Sequence, residues 1–150
     1  MMTSITKGAV NRLRRGRVSQ TGQIYLVTTV TRDRQPVFAD LTAARTLIRT
    51  LQTESATGSC STLAFVVMPD HLHWLLQLHH ERLPIVVGRI KSLVARRLGG
   101  RIWQAGFHDR AVRDEEDLYS IARYVVANPL RAGLVEHVGF YPHWDAVWLE

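Results

Sequence analysis

"STLAFVVMPDHLHWLLQL", residues 61–78, consists of two apolar runs separated by Pro69-Asp70. The first run, Ser61–Met68, is apolar and partly β-branched, and the second, His71–Leu78, alternates through Leu72, Trp74 and Leu76; both read as strands. The link between them is too short for a crossover connection, so the pair must form an antiparallel hairpin. On a strand, residues i and i+2 point to the same face, about 6.5–7 Å apart along the chain. His71 and His73 therefore share one face, and Leu72 and Trp74 point to the other, into a core beneath helices.

The flanking segments extend this hairpin into a fold. Gln23–Thr31, "QIYLVTTVT", is β-branched and predicts a strand. Asp40 is placed to cap a helix running to about Glu54, with an apolar stripe of Leu41, Ala44, Ile48 and Leu51. A second helix is expected from Leu83 to Leu98, with Val86, Ile90, Leu93 and Val94 on its core face and Gly99-Gly100 ending it. A short strand is expected near Phe107–Val112. A third helix then runs from Asp114 to about Ala127, where Asp114 and Asp117 resemble a capping box. Pro129 marks its end or a sharp bend. The order β-α-β-β-α-β plus a helix is the ferredoxin-like arrangement of the α+β class, with helices on one face of an antiparallel sheet and a C-terminal helix added.

The 150-residue length suits a single domain: a basic arm over residues 1–22, then a core over about 23–140. Lys and Arg number 19 against 13 Asp and Glu, and this excess, with a pI near 10.2, points to a polyanionic partner, nucleic acid first. Arg12, Arg14, Arg15 and Arg17 crowd the arm as candidate phosphate contacts. The single cysteine, Cys60, rules out an intrachain disulfide and fits a reducing cytoplasm. The N-terminus lacks the apolar segment of a signal peptide, and no run approaches the roughly 18 apolar residues of a membrane span.

Two imidazoles on one strand face can converge on a cation. They are too few for a structural zinc site, which has four ligands. An open site of two or three ligands suits a catalytic ion that also holds substrate oxygens. On the third helix, Leu118, Ile121, Ala122 and Val125 face the core, while Tyr124 and Asn128, spaced i, i+4, lie together at the edge of that face. A phenol there could act as a nucleophile and an amide as a third ligand. Equally, both could be ordinary boundary residues. Tyr119 lies on the opposite flank. His79 and His80 close the strand at a turn, where a solvated loop is expected.

"VVMPDHLHWLL" (66–76), "IWQAGFHDRAVR" (102–113) and "YVVANPLRAGLV" (124–135) together resemble the three signatures of the REP-associated tyrosine transposases. These are HUH single-tyrosine transposases, the group that includes the small insertion-sequence transposases. The ending "YPHWDAVWL" is similar to that branch as well, so the resemblance runs from about Gly22 to Trp148. It implies that His71 and His73 bind a divalent cation, Mg²⁺ or Mn²⁺, that Tyr124 is the nucleophile, and that Asn128 can complete the metal site. It implies support and DNA contact for Trp103, Gln104, Phe107, Asp109 and Arg110. No DNA-binding extension of the kind found in longer relatives is expected after Trp148.

The chemistry so implied is transesterification of single-stranded DNA at hairpin-forming palindromic repeats, through a 5′-phosphotyrosine. Arg89, Lys91 and Arg96 on the second helix join the arm as candidate DNA contacts. A cytoplasmic monomer or homodimer is expected. Two alternatives stand beside it: a non-catalytic hairpin-DNA-binding protein, and a metal-dependent phosphoesterase that uses water.

Overall fold

The computed structural model describes residues 22–137 and 141–146. The arginines of the arm, Arg12, Arg14, Arg15 and Arg17, lie outside the described residues. The chain forms β1 (Ile24–Val30), α1 (Leu41–Ala56), β2 (Cys60–Met68), β3 (His71–Leu78), α2 (Leu83–Leu98), β4 (His108–Ala111), α3 (Glu115–Val126), the short α4 (Asn128–Arg131) and β5 (Trp144–Ala146). The five strands make one sheet in the order β4-β1-β3-β2-β5, with every neighbouring pair antiparallel. The α+β, ferredoxin-like expectation therefore holds, with β5 added beside β2.

β3 is central and largely buried on both faces, which explains why apolar residues occupy both of its faces around His71, His73 and Gln77. Leu72, Trp74, Leu76 and Leu78 pack with Tyr25, Val27 and Phe65 against α1 and α2. The Trp74 indole is satisfied by the Thr62 hydroxyl at 3.0 Å. Leu75, with Ile24, Val66 and Met68, packs against Leu118, Ile121, Ala122 and Val125 of α3 on the other face. The C-terminal helix thus covers the face on which the histidines lie. The registers shift between Thr62 and Ala64, so Leu63 and Ala64 both reach the α3 side.

Local signals set the helix boundaries. Asp40 accepts from the Ala43 amide at 3.0 Å and starts α1. Asp114 accepts from the Asp117 amide at 2.8 Å and starts α3. The return half of the expected capping box is diverted: the Asp117 carboxylate takes the Arg113 amide and the Arg110 guanidinium. Gly99, at φ 82°, ends α2 in a left-handed conformation that a side chain would oppose. α3 stops at Val126, and Pro129 sits inside the one-turn α4, where its missing N–H costs nothing.

Some expected positions shift. Leu41 is 47% exposed, because the buried stripe of α1 runs instead through Ala43, Ala44, Leu47 and Leu51. Ile48 is half-buried beside it. In α2, Val87 is buried and Leu93 only half-buried. His79 is not solvated: its ring nitrogens meet the Ser61 hydroxyl at 2.7 Å and the Gly58 carbonyl at 2.8 Å. It pins the start of β2 to the end of β3.

Arg89 has a structural role that its sequence setting hid. Its guanidinium forms ion pairs with Glu54 and Glu81. Glu54 is only 4% exposed and also accepts from the Ser59 hydroxyl. The pair joins α2 to the end of α1, so the guanidinium of this candidate DNA contact is engaged within the fold. Arg89→Ala would leave a buried carboxylate with one neutral donor. We expect a loss of about 3 kcal/mol in chemical denaturation, the lower end of the range for breaking a buried pair, since Arg89 itself is half-buried.

Cys60 is buried in the α1–α2 core. Burial, with the nearby Glu54 carboxylate adding to it, pushes its thiol up to about 11. Labelling by a disulfide reagent at pH 8 is expected to be at least ~100-fold slower in the native protein than in denaturant, because only the thiolate reacts. Native-rate labelling as fast as in the unfolded chain would contradict this packing.

Candidate active site

The site begins on β3. His71 lies opposite Val30 and Met68, and His73 opposite Thr28 and Val66, all in register across the sheet. The two imidazole centroids are 4.8 Å apart, edge to face. Each ring is held by its Nδ1. In His71 it meets the Asp70 carboxylate at 2.7 Å, and in His73 the Thr28 hydroxyl at 2.9 Å. This arrangement leaves Nε2 of each ring for a ligand. The Asp70 carboxylate can only accept, so His71 carries its proton on Nδ1 and its lone pair on Nε2, and the Thr28 hydroxyl allows His73 the same tautomer by accepting from Nδ1.

Burial dominates the state of His73, which is 9% exposed. Desolvation, then the neighbouring His71 and Arg131, push its pKa down to about 4, so it is neutral at pH 7. A neutral imidazole is the form that binds cations. Burial works against the Asp70 carboxylate, but hydrogen bonds from His71 and Arg34 outweigh it and hold its pKa below the ordinary value. Arg34 reaches Asp70 at 3.2 Å.

The second component comes from α3. Its apolar face seals the sheet and leaves Tyr124 at the helix edge, 48% exposed. The Tyr124 ring stands 6.0 Å from the His73 ring at an interplanar angle of 74°. Arg131 of α4 lies over the phenol, 3.9 Å from its centroid, and donates to the Tyr124 carbonyl at 2.8 Å. Asn128 follows one turn after Tyr124. Its Nδ2 is buried and has no hydrogen-bond partner among the described residues. The other tyrosines are placed differently. Tyr25 is buried in the opposite core, Tyr119 is on another flank of α3, and Tyr141 donates to the Val67 carbonyl at 2.6 Å.

The donor set fits a divalent cation with an open coordination sphere. Two oriented imidazoles supply nitrogen ligands, and the buried Asn128 amide nitrogen without a partner marks a group that would present an oxygen there if turned about its last torsion. Among the described residues no three His, Cys, Asp or Glu side chains gather into a metal cluster. Among these residues, the groups left to act as a third ligand beside the histidines are an amide or the phenol, with water or a substrate oxygen as the other sources.

The remaining sequence candidates scatter. Lys91 donates to the Gln104 and Gly106 carbonyls and lies over Trp103, so it holds the 102–107 loop to α2. Arg110 pairs with Asp117 at 3.2 Å. Arg96 is exposed on the last turn of α2. Four positions were not foreseen. Arg131 sits within the recognised "NPLRAGLV" stretch, and its spacing of seven from Tyr124 (two helical turns) was the available signal. Thr28 and Asp70 orient the histidines, and only the strand register shows it. His108 lies on the same sheet face, opposite Thr28 from the other side. Two strand spacings, about 10 Å, separate it from His73.

Comparison with known proteins follows the same direction. The family profile described as "Transposase IS200 like" matches residues 19–128. A protein of Haemophilus influenzae assigned as a REP-associated tyrosine transposase is 29% identical over 99 residues, covering 55% of this chain and 56% of that protein. The REP-associated tyrosine transposase of Escherichia coli K12 is 30% identical over 82 residues, covering 53% of this chain and 50% of that protein. The chain thus spans about half the length of the curated relatives it matches. Among solved structures, a REP-associated tyrosine transposase bound to a REP hairpin has the same fold, with a TM-score of 0.76 at 23% identity over 86% of this chain and 79% of that one. An assigned transposase from Deinococcus radiodurans R1 gives a TM-score of 0.54 at 25% identity over 74% of this chain and 94% of that one.

Proposed function

Since this chain belongs to the IS200-like transposase family, we propose that it is a tyrosine transposase that cleaves and rejoins single-stranded DNA at hairpin-forming repeats. The observation that carries the reading is the Tyr124 ring set against His73, with His71 beside it. Relatives named for REP sequences, and a fold shared with a hairpin-bound transposase, support hairpin DNA as the substrate. The excess of basic residues favours the same partner. Among the described residues no helix is long and apolar enough to cross a membrane.

In this reading the Tyr124 hydroxyl attacks a backbone phosphorus in line. A bond forms between the phenolic oxygen and phosphorus, and the bond to the 3′ oxygen breaks. That oxygen leaves as a 3′-OH, having taken up a proton, and the 5′ phosphate stays on the enzyme. The phosphodiester bond energy is retained in the phosphotyrosine, so a second 3′-OH can reverse the step without ATP. His71 and His73, with Asn128, would hold Mg²⁺ or Mn²⁺, which when bound neutralises charge on the non-bridging oxygens. Asp70 and Thr28 keep the two imidazoles turned toward the substrate side. Arg131 fixes the phenol from its far face and ties α4 to α3. The partial exposure of Tyr124 lets a strand reach it without opening the fold. Arg96 and Arg110 are proposed DNA contacts at the rim.

The test is a denaturing gel after incubation with Mn²⁺ and single-stranded hairpin oligonucleotides carrying repeats from the protein's own genome. A covalent protein–DNA band, lost when the histidines or Tyr124 are changed, is expected. Cleavage without an adduct would favour water as the nucleophile, and binding without cleavage a non-catalytic module.

A further inference from the structure

The proposed chemistry leaves one proton without a source. The nucleophile is a phenol, whose ordinary pKa is about 10, and the leaving group is a far more basic 3′ alkoxide. Unless the departing oxygen is protonated as its bond to phosphorus breaks, the less basic phenolate is expelled in preference. Among the described residues around Tyr124, none is suited to give that proton. His71 and His73 are the cation ligands of the proposed site. Burial opposes the charge of the Asp70 carboxylate, but hydrogen bonds from His71 and Arg34 keep it ionised. Arg131 and Arg110 carry guanidinium groups, which do not deprotonate.

His108 stands where such a donor is needed. It lies opposite Thr28, and Thr28 lies opposite His73, so the three form one row across the sheet. Residues directly opposite each other on paired strands point to the same face. Arg110, two residues along β4, marks that face as the one α3 covers, because its guanidinium reaches Asp117 of α3. The cover is uneven. α3 lies over β2, where Ala64, Val66 and Met68 form one cluster with Ile121 and Val125. β4 is the outer strand on the other side of β3, and His108 is exposed, with no hydrogen bond to its ring among the described residues. Tyr124 therefore approaches the histidine pair from the β2 side, and His108 borders the pair from the β4 side.

In-line displacement puts the attacking and leaving oxygens on opposite sides of phosphorus. A phosphate lying beside His71 and His73 and attacked by Tyr124 thus directs its 3′ oxygen toward β4. The roughly 10 Å between the backbones of His73 and His108 leaves room for that phosphate and an imidazole side chain. We propose that His108 is the general acid of the cleavage step: its ring N–H gives a proton to the 3′ oxygen as the bond from phosphorus to that oxygen breaks and the bond to Tyr124 forms. The proposal rests on the reading of the chain as a tyrosine transposase. The phenolic proton passes to water at the exposed edge of Tyr124, and His108 is left neutral. In rejoining, His108 takes the proton of the incoming 3′-OH, as microscopic reversibility requires, and the phenolate recovers one from water. An imidazole suits both directions because its ordinary pKa lies near neutral pH.

The experiment follows covalent adduct formation by the full chain in single turnovers with Mg²⁺. Two hairpin oligonucleotides are compared that differ only at the phosphate the parent cleaves: one has the natural 3′ oxygen, the other a bridging 3′ sulfur. Sulfur departs as a thiolate, which is stable near neutral pH and needs no proton. His108→Ala is expected to slow the oxygen substrate at least ~100-fold, the smaller end of what a positioned acid contributes, and to match the parent on the sulfur substrate. His108→Gln keeps a hydrogen-bonding group but has no proton to transfer, and should behave like His108→Ala. Affinity for the hairpin and for Mn²⁺ should equal the parent's in both variants. His80→Ala, which removes an exposed histidine beyond the far end of β3, should match the parent on both substrates. An equal loss on both substrates would make His108 a positioning or DNA-binding residue. An undiminished rate on the oxygen substrate would assign the proton to water. Either result overturns the proposal while the parent's adduct upholds the transposase reading. No adduct from the parent on either substrate would overturn that reading, and this assignment with it.

Discussion

Tyr124→Phe is expected to abolish the covalent protein–DNA adduct and to lower cleavage of single-stranded hairpin DNA by at least ~10⁴-fold, as removal of a nucleophile does elsewhere. The substitution deletes one oxygen and keeps the ring. The edge contact with His73 and the stacking of Arg131 involve the ring, so both should persist. The side chain is half exposed, and stability should change by about 1 kcal/mol or less. Cation binding and DNA affinity should remain at the parent level. Tyr119→Phe, one helical flank away, should leave adduct formation intact. Full cleavage by Tyr124→Phe would exclude the phenol as nucleophile and leave water in that role.

Loss of either imidazole is expected to have a comparably large effect. His71→Ala and His73→Ala should each weaken Mn²⁺ binding at least ~100-fold in calorimetric titration, more than the 10- to 100-fold typical of changing an outer partner. Cleavage should fall in parallel. The two variants should differ in stability. His73 is buried among Thr28, Val66 and α3, so its removal opens a cavity and strands the Thr28 hydroxyl. His71 is nearer solvent and should cost less. Thr28→Val tests the orienting bond by itself. It keeps both imidazoles and much of the volume, and should reduce cation affinity by roughly 10-fold without removing the site. Equal Mn²⁺ affinity in the parent and in His71→Ala would remove these residues from any metal site.

The strands and the long helices were legible because their signals are local. A two-residue break between apolar runs permits only a hairpin, and the period of two in His71–Leu78 placed both histidines on one face. Asp40, Asp114 and Gly99 act on amides or torsions within a few residues of themselves, so the helix boundaries followed from sequence to within a residue or two. The i, i+4 spacing of Tyr124 and Asn128 belongs to the same class.

What the sequence could not supply was the partner of each long polar side chain, because that depends on segments far along the chain. Arg89 and Arg96 look alike in sequence. One is drawn to a buried carboxylate 35 residues away, and the other stays exposed. His79 and His71 each end or begin the same strand. One is taken by Ser61 and Gly58 as a staple, and the other is turned by Asp70 toward the site. The packing of α3 on the histidine face was likewise decided by tertiary structure. Both sheet faces are apolar enough to bury a helix, and only the path after β4 brings α3 to the face where Tyr124 meets His73. Periodicity assigns residues to faces at short range. Which faces and charges meet is settled by burial and desolvation across the whole fold, and there the site takes its shape.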